Sequence, residues 1–219
     1  MAKKRLVIGL TGSFGSGKST VGRILKRLGA KRVIDTDRLA HEVFRPNHQI
    51  GKKVKSLFNI KGSFSRKAVA KEVFSNPRKR KQLEALVHPY VYRRVRSELK
   101  RIRQGIVILE VPLLFESGMN RMCDATVSVL AGAQNIEKRL KHSGFKPKEV
   151  RLRLKAQLPE PEKKRRSDYY ILNTGSKNSL IQKTKLIWEK LTANPSLRAK
   201  RSNLRDCFVV PYGTPRNDD

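Results

Sequence analysis

Cysteine is nearly absent from the chain, and with it the usual covalent means of holding a small protein together. The 219 residues include two cysteines, Cys123 and Cys207, which excludes a disulfide framework and provides no metal-ligand spacing. A chain of this length can instead bury a hydrophobic core of its own. We therefore expect one α/β domain with insertions, or two small domains, without structural disulfides or metal.

Long apolar runs are also missing. The longest ones, such as residues 106–109, are far too short to span a bilayer. Residues 1–5 are basic, but the apolar residues after them lead into a glycine-rich loop and not into a signal-peptide cleavage site. We expect a cytoplasmic protein without a membrane segment.

Acidic residues are scarce, because 18 Asp and Glu stand against 50 Lys and Arg, for a formal net charge of +32. Such a charge attracts polyanions, so nucleic acid and phosphorylated small molecules are the first partners to consider. The basic residues are spread over nearly every segment, however, and no nucleic-acid recognition module accompanies them. A solvated basic surface without a partner is the third interpretation. We do not expect specific nucleic-acid binding, and the sequence indicates no oligomeric state.

A glycine-rich loop lies between an apolar strand and an amphipathic helix near the start of the chain. Residues 12–19 read GSFGSGKS, which is the pattern of a phosphate-binding loop in the context that it needs. In such loops the backbone N–H groups and the N-terminus of the next helix hold phosphate oxygens. Lys18 would reach the β- and γ-phosphates of ATP, and the Ser19 hydroxyl would ligate Mg²⁺. The predicted nucleotide-binding residues are Gly12, Gly15, Ser16, Gly17, Lys18, Ser19 and Thr20.

Two carboxylates follow the second predicted strand, at residues 33–34. Asp35 and Asp37 are expected beside the glycine loop, because parallel strands end at one edge of the sheet. Phosphoryl transfer to an alcohol needs a carboxylate that orients the hydroxyl and accepts its proton. Either acid could instead cap the helix that we predict to begin at Arg38.

Apolar periodicity divides the rest of the chain into a sheet and helical segments. Residues 45–104 read as a helical insertion between the second and third strands. Beyond residue 193 the periodicity is lost. The predicted units are a core of residues 1–44, 105–137 and 168–193, the insertion 45–104, a charged segment 138–167 and a disordered tail 194–219.

Several of these motifs, taken together, resemble the dephospho-coenzyme A kinase family. The likeness covers about residues 5–192 and is most specific in the block Pro-Leu-Leu-Phe-Glu at 112–116 and in the pair His88-Pro89. Further matches are residues 11–20, 34–37, Arg66-Lys67, Leu83-Glu84, Gln157, Asp168 and Asn173-x-Gly175.

The resemblance implies an α/β fold of three layers, the P-loop kinase fold, with a five-stranded parallel sheet, a helical acceptor domain at 45–104 and a lid at 138–167. It implies transfer of the ATP γ-phosphoryl group, with Mg²⁺, to the ribose 3′-hydroxyl of dephospho-coenzyme A. The implied catalytic residues are Asp37, Lys18 and Arg139. The implied acceptor contacts are Asp35, Arg66, His88, Leu113, Leu114 and Glu116, and Asn173 and Gly175 would lie near the adenine.

Other interpretations stand beside these roles. Leu113 and Leu114 could be core residues, His88 could only end a turn, and Glu116 could pair with a neighbouring base. A nucleoside or nucleoside-monophosphate kinase of the same fold, or a nucleic-acid-binding protein with a phosphate-binding loop, are the alternative functions.

The sequence departs from the family pattern inside the loop and in the lid. Ser13-Phe14 stands where a glycine and an aliphatic residue are usual. Residues 141–143, Lys-His-Ser, stand where a second lid arginine is usual. Lys141, Lys146 or Arg151 could substitute for that arginine.

Overall fold

The computed structural model describes residues 5–60, 64–65, 69–70, 73 and 76–193. Arg66, several other residues of the predicted insertion 45–104, Cys207 and the tail 194–219 lie outside the described residues. Their predicted roles are therefore left as predictions.

A five-stranded parallel sheet forms the centre of the described part of the chain, in the order β2-β3-β1-β4-β5. The strands are β1 (Arg5–Gly12), β2 (Arg32–Asp35), β3 (Gly105–Glu110), β4 (Ala125–Leu130) and β5 (Tyr169–Leu172). The inner strands are apolar along nearly their whole length because both faces of the sheet are covered. The predicted α/β fold is confirmed, and β1, which leads into the glycine loop, is its central strand.

Helices cover the sheet on both faces, so that the fold has three layers. They are α1 (Lys18–Arg27), α2 (Thr36–His41), α3 (Gln49–Leu57), α4 (Pro77–Lys100), α5 (Ala133–His142), α6 (Pro147–Lys155), α7 (Glu160–Arg166) and α8 (Lys177–Ala193), with short 3₁₀ helices at Glu42–Phe44 and Met119–Met122. One core cluster joins α1 and α8 to one face of the sheet. A second joins α4 to the other face.

Helix α1 ends at a glycine in a left-handed backbone conformation. Ala30 N–H donates to the carbonyl of Leu25 at 3.0 Å and Gly29 N–H to that of Lys26 at 3.4 Å, which is the Schellman pattern. Gly29 has φ +118°, a backbone conformation that favours glycine.

The described part of the predicted insertion is mostly helical. Helix α4 runs for 24 residues from the cap Asn76, whose side-chain oxygen accepts from the N–H groups of Arg78 and Lys79. Its buried stripe faces the sheet and consists of Val87, Val91, Val95 and Leu99. A smaller cluster packs Val54, Phe58, Val69 and Val73 together.

Candidate functional site

The glycine loop lies at the carboxyl end of β1, between that strand and α1. Gly17 has φ +94°, and an ideal Cβ there would stand 2.3 Å from Asn173 Nδ2, so only glycine fits. Asn173 Nδ2 donates to the Ser16 carbonyl at 2.7 Å. Asn173 therefore supports the loop from behind, where it is buried.

A cavity of about 600 Å³, the loop cavity, opens in front of the glycine loop. Helices α4, α5 and α6 contribute polar side chains to its wall. Its lining includes Gly12, Ser13, Phe14, Gly15, Gly17, Lys18, Ser19, Thr20, Asp37, Arg80, Leu83, Glu84, Pro112, Leu113, Arg139, Ser143, Arg153 and Gln157. Most of the predicted nucleotide-binding residues therefore share one surface.

The carboxylate of Glu110 contacts the side chains of Lys18 and Ser19. Its Oε1 lies 3.0 Å from Lys18 Nζ and accepts from Ser19 Oγ at 2.5 Å. Glu110 is buried, with 4% of its surface exposed, so this carboxylate is fixed beside the loop. Sequence reasoning missed it, although an acid directly after the apolar residues 106–109 was the available signal.

Asp35 and Asp37 have different surroundings. Asp35 Oδ1 accepts from the N–H groups of Asp37 at 2.9 Å and Arg38 at 3.2 Å, and it caps α2. The helix thus begins at Thr36, two residues earlier than predicted. The capping alternative applies to Asp35, whose proposed contact with substrate remains a prediction.

Asp37 is exposed at the rim of the loop cavity and forms part of its walls. Desolvation by these walls raises the pKa of Asp37 above its usual range, and the cation of Lys18 partly opposes the shift. A carboxylate with a raised pKa is suited to accept a proton.

A second cavity of about 180 Å³, the apolar cavity, lies between α2, α4 and the residues after β3. Asp37, Leu83, Glu84, Pro112 and Leu113 line both cavities, so the two meet there. The wall is otherwise mostly apolar, with Ala40, Phe44, Val87, Val91, Val111 and Met119.

His88 lines the apolar cavity with Leu113. Burial lowers the pKa of His88, and the carboxylate of Glu84 opposes the shift. Leu114 is fully buried and is a member of the core cluster on the α4 face of the sheet. Its side chain packs in the core, and the predicted acceptor contact of Leu114 stays a prediction.

Glu116 faces the predicted lid. Its Oε1 accepts from Leu158 N–H at 2.8 Å and lies 3.4 Å from Lys163 Nζ. Lys163 is fully buried and also donates to the Pro112 carbonyl at 2.9 Å. Burial lowers the pKa of Lys163, and Glu116 opposes the shift. Block 112–116 is thus joined to α7.

Arg139 stands on α5 at the wall of the loop cavity. Its Nη2 donates to the Asn173 carbonyl at 2.7 Å. Its Nη1 is buried without a hydrogen-bond partner among the described residues.

Three of the predicted nucleotide-binding residues do not line the loop cavity, namely Ser16, Asn173 and Gly175. Ser16 is fully buried, and its N–H donates to the Ser13 carbonyl at 3.0 Å. Gly175 is exposed beyond the cavity wall. The predicted nucleotide contacts of Ser16 and Gly175 stay predictions.

None of the three residues that could substitute for the missing second arginine of the predicted lid lines the loop cavity. Lys141, Lys146 and Arg151 are exposed and do not line the cavity, whereas Arg153 does. No residue pattern indicated this difference, because the choice between arginines 151 and 153 depends on which face of α6 packs inward.

The described residues are 5–60, 64–65, 69–70, 73 and 76–193. Within them, no three His, Cys, Asp or Glu side chains cluster as metal ligands. No helix in the same ranges is long and apolar enough to cross a membrane. The cytoplasmic location stays a prediction.

Comparison with known proteins gives a consistent family. The family model described as Dephospho-CoA kinase matches residues 6–179. A dephospho-CoA kinase of Thermus thermophilus is 40% identical over 195 residues, which are 87% of this chain and 94% of that protein. One of Parasynechococcus marenigrum is 38% identical over 180 residues, 80% of this chain and 90% of that protein.

Solved structures agree. TT1252 from Thermus thermophilus matches with a TM-score of 0.73 and 38% identity over 86% of this chain and 99% of that one. The dephospho-CoA kinase from Campylobacter jejuni matches with a TM-score of 0.62 and 25% identity, over 85% of this chain and 97% of that one. The chain belongs to the dephospho-CoA kinase family.

Proposed function

We propose that the protein transfers the γ-phosphoryl group of ATP to the ribose 3′-hydroxyl of dephospho-CoA, which yields CoA and ADP. The observation that carries this proposal is the position of Asp37 where the loop cavity and the apolar cavity meet. A phosphoryl donor held by the glycine loop and an alcohol held in the apolar cavity would face each other at this carboxylate. Family membership supports the identity of both substrates.

On the donor side, the glycine loop and Lys18 would hold the phosphates of ATP. The Ser19 hydroxyl and the Glu110 carboxylate would hold Mg²⁺, since both oxygens lie at one point beside the loop and Mg²⁺ prefers oxygen ligands. Bound Mg²⁺ would neutralise part of the phosphate charge. Lys18 would then exchange its contact with Glu110 for one with the nucleotide.

On the acceptor side, Asp37 would act as the general base. The ribose 3′-oxygen forms the new bond to the γ-phosphorus, the bond from that phosphorus to the ADP oxygen breaks, and the hydroxyl proton passes to Asp37. The raised pKa of Asp37 favours that transfer. His88 and Leu113 would bound the acceptor from the wall of the apolar cavity.

Two arginines of the predicted lid would stabilise the negative charge on the γ-phosphoryl group during its transfer. Arg139 has a buried Nη1 without a partner among the described residues, and Arg153 lines the same cavity. In this proposal residues 45–104 bind the acceptor and residues 138–167 close over the donor. The remainder, residues 1–44, 105–137 and 168–193, forms the nucleotide-binding core.

A coupled assay with ATP, Mg²⁺ and dephospho-CoA tests the proposal, with CoA formation as the readout. Adenosine and adenosine monophosphate serve as competing acceptors in parallel reactions. We expect CoA from dephospho-CoA and negligible product from the other two. Phosphorylation of either competitor without CoA formation would leave the reaction class standing and reject the acceptor.

A further inference from the structure

Phe14, at the tip of the glycine loop, contacts the predicted lid directly. Its ring packs against that of Phe145 with centroids 5.2 Å apart and planes at 88°, an edge-to-face arrangement that aromatic pairs favour. Its N–H donates to Gln157 Oε1 at 3.0 Å. The tip of the loop is therefore joined to both ends of α6, first before the helix at Phe145 and then after it at Gln157.

Arg153 lies over this aromatic pair. Its Cζ is 4.6 Å from the centroid of the Phe14 ring and 5.5 Å from that of Phe145, within reach of a cation–π interaction. Its Nη2 donates to Glu149 Oε1 at 2.8 Å, one turn earlier on α6. Only 20% of the Arg153 side chain is exposed. The ring and the carboxylate together restrict the guanidinium at the wall of the loop cavity.

The first helix of the predicted lid, α5, supplies fewer arginines than the family pattern leads one to expect. Residues 141–143 carry no arginine, and Lys141 and His142 are exposed away from the loop cavity. An aliphatic side chain at position 14 would offer Arg153 no ring face. The unusual residue of the loop thus meets the arginine that lines the cavity.

We infer that Phe14 is a positioning residue, which holds the Arg153 guanidinium toward the phosphates of the nucleotide in the loop cavity. The inference deepens the proposed function and rests on it for the identity of that nucleotide. Phe14 acts through Arg153, so its contribution to turnover depends on the presence of that arginine.

A double-mutant cycle of Phe14→Leu and Arg153→Ala tests this dependence. We expect Arg153→Ala to lower kcat about 100-fold, as loss of one charge-stabilising group commonly does. Phe14→Leu alone should lower kcat about tenfold, with the KM for dephospho-CoA unchanged. In the Arg153→Ala background the same Phe14→Leu change should cost less than about twofold. Equal losses in the two backgrounds would overturn the inference.

Conservative variants separate positioning from folding. Phe14→Tyr keeps the ring and should retain turnover within about twofold. Arg151→Ala removes a neighbouring exposed arginine of α6 and serves as the matched control. Thermal midpoints of all variants are measured alongside. A loss of turnover in Phe14→Tyr that equals the loss in Phe14→Leu, at an unchanged midpoint, would contradict a role for the aromatic face.

Calorimetric titration with ATP repeats the cycle without any acceptor. Each single variant should bind ATP about fivefold more weakly, and the double variant no more weakly than Arg153→Ala. Because this readout needs no dephospho-CoA, it decides the role of Phe14 even if wild-type protein forms no CoA. Independent losses of ATP affinity in the two variants would reject the inference.

Discussion

The two cavities that meet at Asp37 are built from different parts of the chain. Residues 12–20, at the end of the central strand, in the glycine loop and at the start of α1, supply more lining residues to the loop cavity than any other stretch of the chain that the structure describes. The apolar cavity collects side chains from α2, α4 and the residues after β3, which are far apart in sequence. Phosphate binding by backbone groups is a local property, whereas acceptor recognition depends on tertiary packing. Changes at the junction should affect both cavities, and changes on one side should affect one substrate.

Asp37→Asn should have the largest effect, because it removes the proposed general base at the junction. We expect kcat to fall about 10³-fold, within the range for general bases, while the Kd for ATP measured by calorimetry stays within about twofold. In wild-type protein, kcat/KM should fall as pH decreases through the pKa of Asp37 in the free enzyme, which lies above that of an ordinary aspartate. Retained turnover in Asp37→Asn would contradict the assignment.

Although Asp37→Asn should lower turnover, we expect it to raise the stability of the folded protein. Since the pKa of Asp37 is raised in the folded protein, the folded state binds more protons between the unfolded and folded pKa values, and stability falls as pH rises through that window. Asparagine carries no charge to desolvate. Asp37→Asn should therefore raise the thermal midpoint at pH 7 and leave it nearly unchanged below both pKa values.

Glu110→Gln should affect the donor side alone. Glutamine keeps the shape but loses the charge that meets Lys18 and Ser19, so we expect kcat to fall about 100-fold. The Mg²⁺ concentration for half-maximal activity should rise at the same time, whereas the KM for dephospho-CoA should not. Glu98→Gln, which removes the partner of Arg32 away from the cavities, is the matched control. An unchanged Mg²⁺ dependence would exclude Glu110 from the metal site.

His88→Ala should affect the acceptor side alone. His88 lines the apolar cavity, and its lowered pKa keeps the imidazole neutral at pH 7, so its loss removes packing and hydrogen bonding but no charge. We expect the KM for dephospho-CoA to rise about tenfold with an unchanged KM for ATP. His142→Ala, at an exposed position on α5, should change neither constant. Equal increases in both KM values would argue against separate cavities.

Lys163→Met should produce the smallest effect, on stability. Breaking a buried ion pair costs about 3–5 kcal/mol when the remaining charge is fully buried. Glu116 has 22% of its side chain exposed and keeps its bond from Leu158 N–H, so we expect a loss of about 2 kcal/mol in urea unfolding. Lys164→Met, next to it at an exposed position over the Tyr170 ring, should cost less than about 1 kcal/mol. Similar losses in both variants would contradict the importance of burial.

The difference between local and tertiary construction also explains which residues the sequence could predict. Lys18, Ser19 and Asp37 were found because each occupies a fixed place after a strand or within a loop pattern. Glu110 had the same kind of signal, as the acid that ends the apolar run of β3, but it was overlooked. The order of the strands, with β3 between β1 and β2, makes its position central.

Arg153 and Lys163 could not have been selected from a sequence with 50 basic residues. Their roles depend on which face of α6 packs against Phe14 and on a backbone carbonyl, that of Pro112, which leaves no trace in the residue pattern. Leu114 lies in a motif that the sequence does reveal, but its place in the structure could not be predicted from that motif. Block 112–116 indicated the family, but only packing separates Leu113, which lines both cavities, from Leu114 in the core.

The support that Asn173 gives to the glycine loop has a consequence for the order in which the protein can fold. The hydrogen bond from Asn173 to the Ser16 carbonyl joins positions 157 residues apart. During synthesis from the N-terminus, the loop sequence emerges early but lacks this contact until the residues of β5 and Asn173 have been made. A nascent chain that ends before Asn173 includes the residues of β1 and α1, but its glycine loop lacks the hydrogen bond from Asn173 to the Ser16 carbonyl. Competence to hold a nucleotide should therefore arise late, when nearly the whole sheet is in place.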